Sequence, residues 1–387
     1  MLTHIFRSST YSALLGIPAM GRPSPYANAP TMQTDHSLSS ASAMQTKFGN
    51  VCQGGGLKCA NAATPFFTPD GKSLDVGSDA RPQIVVDKQG NAFVAHSFFK
   101  ESHWNAQINI ARSADGAKTF SIPESLVYDE SSQRFSMVLV KPDASIFITW
   151  IDKRIVAKAK KVERSVWVAR LRILFLEKVA RHLKPSSLLT RAVVNAAVLG
   201  ASLDSRANPT IIYRAIFPGG IRDQATQVIN TKGAEPVRRI SDDEWKTDAC
   251  PHHGPSIAVS GSGKFHVSWD TQDSKRAGVF YANSSNEGKR YSKPIRVGSE
   301  VLTVTRPYLF TSGQQVWLVW KECDGNKSSV YLKESPDDGK SWSAPKLLTD
   351  TAGYGDHPLL ASRGDAVFLS WLTWDDGYQL INIGRTQ

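Results

Sequence analysis

The sequence predicts an all-β repeat protein, on three observations: a column of rings at near-constant spacing, a second apolar run ahead of each ring, and a turn motif behind several of them. Six stretches of alternating apolar residues, at 91–98, 145–152, 208–215, 264–271, 315–322 and 366–373, each close on a ring. The rings are His96, Trp150, Tyr213, Trp269, Trp320 and Trp371, spaced by 54, 63, 56, 51 and 51 residues. Period-two alternation reads as a half-buried strand. A repeat of this length marks a propeller, a solenoid or an array. Functional residues are therefore to be sought where repeats converge rather than in one local motif.

The second strand of each repeat lies about fifteen residues before the ring, in runs at 80–86, 133–140, 252–259, 305–310 and 356–361 that mostly open on Arg or His with Pro. Proline suits a strand's first residue, because it has no N–H to give to a ladder. Polar, Gly-rich tips such as Asp87-Lys88-Gln89-Gly90-Asn91 and Ser260-Gly261-Ser262-Gly263 join the two strands as hairpins.

The third signal is a Ser-x-Asp-x-Gly-x-x-aromatic pattern at 113–120, 335–342 and, in a weaker copy, 284–291. Its Ser and Asp oxygens suit acceptance of backbone N–H groups, Gly supplies positive φ, and the ring wedges between sheets. Ala117 replaces a glycine in the first copy and Asn286 replaces the aspartate in the weaker one. These segments resemble the Asp-boxes of the sialidase (neuraminidase, BNR-repeat) superfamily. The resemblance implies a six-bladed β-propeller in which the boxes are structural and lie away from the site. It spans nearly all of 55–387, so 51–387 is expected to form one propeller behind a leader at 1–50. Residues near 64–74 are expected to supply the last blade's outer strand.

Composition points elsewhere, but its distribution corrects it. A formal charge of +11 and a pI near 9.4 would invite a nucleic-acid partner. Residues 153–191, however, hold twelve Lys or Arg against Glu163 and Glu177, so the rest is nearly neutral and no nucleic acid is expected. The same region breaks the repeat. Leu, Ile and Val spaced by three and four among Arg and Lys at 165–184 predict a basic amphipathic helix where the second blade should place its outer strands. Such a conflict between local pattern and architecture marks an incoherent sequence. Two explanations stay open: a true helix on the rim, or a frame-shifted segment over 161–199 that leaves the second blade without its outer strands. Reading the codons of 172–198 from their third base permits Ser-Arg-Lys-Gly-Gly-Lys-Thr-Phe, a box-like run, followed by a cluster of three cysteines.

His4 and Arg7 precede a short apolar stretch, and Ala27-Asn28-Ala29 offers a cleavage site, so an exported, periplasmic or secreted protein is expected. No stretch is long enough for a membrane span. Cys52 and Cys59 bracket a Gly-rich loop and are expected to pair in an exported chain.

The loops entering a propeller's innermost strands gather at one end of its channel. Here they bring Arg81, Arg134, His252, His253, Arg306, Asp356 and His357, a cationic ring. In a sialidase three arginines hold the substrate carboxylate, a Tyr paired with Glu is the nucleophile, and an Asp is acid and base. The resemblance thus implies Arg81 and Arg306 as carboxylate binders, with Arg134, His253 and His357 beside them. It implies Tyr354 as nucleophile and Glu244 or Asp248 as its partner or the acid. The planar guanidinium fork suits a carboxylate. A salt-bridged Arg at a strand start, or an ordinary loop tyrosine, accounts for the same residues. The substrate would be a glycan or glycoprotein carrying acidic sugars, with no cofactor. A second reading takes Cys250, His252, His253 and His357 as soft ligands for Zn or Cu. A third is a non-catalytic propeller that binds glycan or protein.

Overall fold

The computed structural model describes residues 74–75, 80–101, 105–154, 168–176, 188–194, 199–247, 253–274 and 276–386, with backbone only over 168–176 and 188–194. The leader, the Cys52 and Cys59 loop, Asp248, Cys250 and His252 lie outside them. Among the described residues, twenty-four strands form six antiparallel sheets in chain order. The first holds β1 (Gln83–Val86), β2 (Ala92–Phe99), β3 (Ala106–Ser113) and β4 (Glu124–Ser125). The second holds β5 (Gln133–Val140), β6 (Ile146–Asp152), β7 (Val168–Leu176) and β8 (Leu188–Val194). The third holds β9 (Gly200–Leu203), β10 (Pro209–Arg214) and β11 (Gln224–Asn230), with β12 (Gly233–Ala234) and β13 (Arg238–Arg239) both on β11. The fourth runs from β14 (Ser256–Val259) through β15 (Phe265–Asp273) and β16 (Arg276–Ser284) to β17 (Ile295–Val297). The fifth runs from β18 (Thr303–Ser312) through β19 (Gln315–Cys323) and β20 (Lys327–Ser335) to β21 (Lys346–Ala352). The sixth shows β22 (Leu359–Arg363), β23 (Ala366–Thr373) and β24 (Gly377–Arg385) among the described residues.

The first strands of neighbouring sheets touch in series, β1 with β5, β5 with β9, β9 with β14, β14 with β18 and β18 with β22. They line one channel, and the chain is an all-β propeller. Each ring of the repeat explains one joint. Trp150 packs in the apolar cluster joining sheets one and two, Tyr213 in that joining two and three, and Trp269, Trp320 and Trp371 in the next three. Burying a large ring there removes on the order of 150–250 Å² from water, the main stabilisation of a sheet that cannot cover its own faces. The indole N–H groups are satisfied too: Trp150 donates to Asp152, Trp269 to Asp243, Trp320 to Glu322 and Trp371 to the Asp356 carbonyl. His96 takes the ring position of the first sheet, on β2, and burial lowers its pKa to about 4.

The three Ser-x-Asp or Ser-x-Asn turns share one hydrogen-bond scheme. Ser113, Ser284 and Ser335 donate to Asp115, Asn286 and Asp337 at 2.7, 2.9 and 2.8 Å, and accept the N–H of Ala117, Gly288 and Gly339 at 3.0, 3.0 and 2.8 Å. Two of their rings reach the preceding sheet: the Tyr291 hydroxyl meets Thr226 Oγ1 at 2.8 Å, and Trp342 packs edge-on to Tyr281 at 4.9 Å. Ala117 holds φ 63° with its methyl among Ile84, Val86 and Phe120. Gly339 has no such room. At φ +76° its Cβ would meet the Tyr281 hydroxyl at 2.3 Å. Gly339→Ala should therefore lower stability by about 2 kcal/mol, combining left-handed strain with the clash; chemical denaturation that left the midpoint unmoved would refute this.

Two expectations for the second repeat are corrected. The helix over 165–184 is absent where described, because Val168–Leu176 is β7, paired with β6 from Ile146↔Leu176 to Asp152↔Arg170. Nor does the second sheet lack its outer strands, since β8 pairs with β7. The nine residues of β7 place Arg170 and Arg172 two apart among apolar residues, so they fit a period of two as well as one of 3.6. The open ladder of β6 selects the former, a tertiary override of local pattern. The clasp expected near 64–74 is described only at Leu74, which bridges Phe98 of β2 and packs against Leu372, Tyr354 and Tyr378 of the last repeat. Among the described residues no helix is long and apolar enough to cross a membrane.

Candidate functional site

Because each first strand enters from the same end, the segments ahead of β1, β5, β14, β18 and β22 meet at one mouth of the channel. The channel encloses about 290 Å³, and Arg81, Phe135, Pro255, Tyr308 and His357 are among its lining residues. Two entering strands carry bulges there. The ladder slips between Arg134 and Met137 in β5, with Phe135 at φ 57°, and between Thr305 and Tyr308 in β18, with Arg306 at φ 56°. A bulge re-aims side chains at the end of a sheet, and both fall at sequence-predicted arginines.

The structure brings Arg81, Arg306 and His357 together around Asp356. Arg81 Nη2 lies 3.2 Å from His357 Nδ1, and His357 Nε2 lies 3.3 Å from the Pro307 carbonyl. A guanidinium only donates and a carbonyl only accepts, so Nδ1 is the acceptor and the proton sits on Nε2. Asp356 Oδ1 accepts the His357 N–H at 2.6 Å. Burial pushes the Asp356 pKa up, against the pull of Arg81, Arg306 and Lys321. Lys321 Nζ donates to the Gly355 carbonyl at 2.5 Å and stands 4.7 Å from the centre of the Tyr354 ring. Gly355 lies against the Trp371 ring, where a Cβ would meet it at 2.1 Å, and this close approach seats Tyr354 and Asp356 at the mouth.

Other nominees sit differently. Arg134 is taken up by Asp75 in a buried two-pronged pair, Nε to Oδ2 and Nη2 to Oδ1, each 2.6 Å. His253 Nδ1 lies 3.4 Å from Asp270 Oδ1, and its carbonyl accepts Arg214 Nη2 at 3.2 Å. Glu244, at φ 57° and exposed, is anchored through its N–H to Asp223 Oδ2 at 3.0 Å. Asp223 also accepts the Trp245 N–H at 3.1 Å, which sets the Trp245 ring 4.7 Å from the Arg214 guanidinium. Of the soft ligands, Cys250 and His252 lie outside the described residues; among the described residues no group of three His, Cys, Asp or Glu side chains is placed to hold a metal ion.

Sequence reasoning passed over Arg214, Asp270 and Lys321. They share one repeat position, the residue after the ring, and all three are buried at the mouth end of their strands. Three successive sheets therefore set buried charges of alternating sign in one tier. Burial lowers the Arg214 pKa to about 10, which leaves it cationic near neutrality. Asp75 had no repeat position to reveal it.

No protein-family model matches the sequence, and neither does any curated protein. Solved structures share the fold. An α-L-arabinanase of Penicillium chrysogenum complexed with arabinobiose superposes with a TM-score of 0.53 at 10% identity, over 82% of this chain and 97% of that one. An ulvan lyase bound to -[GlcA(1-4)Rha3S]- gives 0.52 at 12% identity, over 93% and 95%. A protein of unknown function from Dyadobacter fermentans gives 0.52 at 11% identity, over 82% and 95%.

Proposed function

We propose that this chain is an exported, six-bladed, glycan-acting propeller whose channel mouth takes an acidic sugar, as a sialidase-type glycoside hydrolase. The convergence of Arg81, Arg306 and Lys321 on Asp356, with Tyr354 beside them, carries the reading. Cations at the mouth of a concave, partly apolar channel suit a sugar carboxylate, and guanidinium forks suit it best. The arabinobiose bound by the arabinanase and the glucuronate-containing chain bound by the lyase support a glycan as the ligand of such a fold. In this scheme Tyr354 is the nucleophile, and Lys321 puts positive charge where the phenol would develop negative charge. A Tyr nucleophile avoids pressing one carboxylate on another. Glu244 and Asp248 are the nominees for its partner and for the acid, and no cofactor takes part.

One observation favours a non-catalytic glycan-binding propeller instead: Asp75 occupies the Arg134 fork, leaving the arginine clamp one member short. Incubation with a fluorogenic sialoside separates the two. Hydrolysis should occur and fall at least about 100-fold in Tyr354→Phe. Binding without release of the fluorophore favours the binding module. Stoichiometric uptake of Zn or Cu without turnover favours the metal reading built on Cys250, His252, His253 and His357.

A further inference from the structure

We infer that Trp374 is a stacking platform for an uncharged sugar ring joined to the acidic unit at the mouth, an inference that rests on the glycan reading above. Trp374 opens the tip between β23 and β24, and β23 runs back towards the mouth, so the tip stands on its rim. The Trp374 N–H donates to the Tyr354 carbonyl at 3.0 Å and the Asp356 N–H to the Leu372 carbonyl at 2.7 Å. These two bonds flank the bridge between Gly355 and Thr373. Tyr354 and Trp374 are therefore directly opposite across a short antiparallel ladder, with side chains on one face. Leu372 packs with Tyr354 on that face. Tyr354 is half-buried beside Lys321, whereas Trp374 is 41% exposed.

Side-chain hydrogen bonds tie the tip to the neighbouring segment. Thr351 Oγ1 donates to Asp376 Oδ2 at 2.6 Å, and the Asp376 N–H donates to Thr373 Oγ1 at 3.0 Å. A rigid, wet indole gives a large contact area for little loss of side-chain freedom, as a pyranose face requires. Charge orders the occupants. Asp375 and Asp376 are exposed beside Trp374 and repel a carboxylate there, while Arg81, Arg306 and Lys321 attract one further in. The platform thus takes the neutral neighbour of the acidic sugar.

The full chain and its Trp374→Ala and Trp374→Phe variants are titrated calorimetrically with N-acetylneuraminic acid, 3′-sialyllactose and lactose. Trp374→Ala should weaken 3′-sialyllactose about tenfold, as truncating a buried-on-binding Trp does, and leave N-acetylneuraminic acid within about twofold. Trp374→Phe should stay within about threefold of the parent for both. An unchanged trisaccharide affinity in Trp374→Ala, or an equal loss for the monosaccharide, overturns the platform. Lactose binding that depends on Trp374, with no binding of either sialic acid probe, upholds the platform and removes the acidic-sugar reading. Failure of all three probes to bind the parent removes both.

Discussion

Asp75→Ala is expected to destabilise the protein by about 3–5 kcal/mol, because it strands a guanidinium in the interior. The Asp75 and Arg134 side chains are 0% and 7% exposed, and Arg134 is further fixed over the rings of Phe99 and Phe135 at 5.6 and 4.6 Å. Removing one member of a buried pair leaves the other uncompensated, whereas an exposed pair such as Arg385 with Asp365 contributes about 0–1 kcal/mol. Denaturant midpoints for Asp75→Ala, Asp365→Ala and the parent chain provide the comparison. Equal, small shifts in both variants would show that the pair is not structural. The same experiment assigns Arg134. If it holds substrate rather than the fold, Arg134→Ala should weaken glycan binding while the midpoint stays put.

The second large effect is acid lability. His96 and His266 are both buried, and burial lowers each pKa to about 4, so both are neutral in the folded protein near pH 6. An unfolded histidine binds its proton near pH 6.5. Between these values the unfolded chain holds more protons than the folded one, so stability is greatest above pH 6.5 and falls as the pH drops towards 4. Each group accounts for about 3 kcal/mol across that window. For His266 that value already includes the opposing pull of Asp338, whose Oδ1 lies 3.1 Å from its Nε2. His96→Phe places a ring like those of the other sheets and should remove about one proton from the linkage slope. Unfolding free energies at pH 7, 5.5 and 4.5 in both proteins test this. Parallel curves would mean that His96 does not titrate with unfolding.

Much of the architecture was legible because the physical demands repeat. Every sheet needs a large ring against its predecessor, so the ring column marked a propeller built from successive β-sheets. The entering arginines were legible for a related reason: each lies at the entrance to the first strand of its sheet. What stayed hidden depends on distant partners. Alternation in Val168–Leu176 could not be weighed against its helical spacing without the unpaired edge of β6. Asp75 has meaning only through Arg134, 59 residues away. Arg214, Asp270 and Lys321 were within reach, because the residue after each ring lies on the opposite face of its strand from the ring. In Ser97, Ile151 and Leu372 that position is uncharged, which masked the pattern.

The contact of Arg81 with His357 spans 276 residues of sequence and is made only when the last sheet meets the first. The entropy of closing so long a loop has to be met before this contact returns anything, so ring closure belongs among the late events of folding. An intermediate with five sheets docked would possess nearly all of the apolar joints and yet have no mouth. Appearance of ligand binding during refolding is then a clock for the topology itself. It should lag behind the burial of Trp150, Trp269 and Trp320, which belong to joints formed between neighbours in sequence.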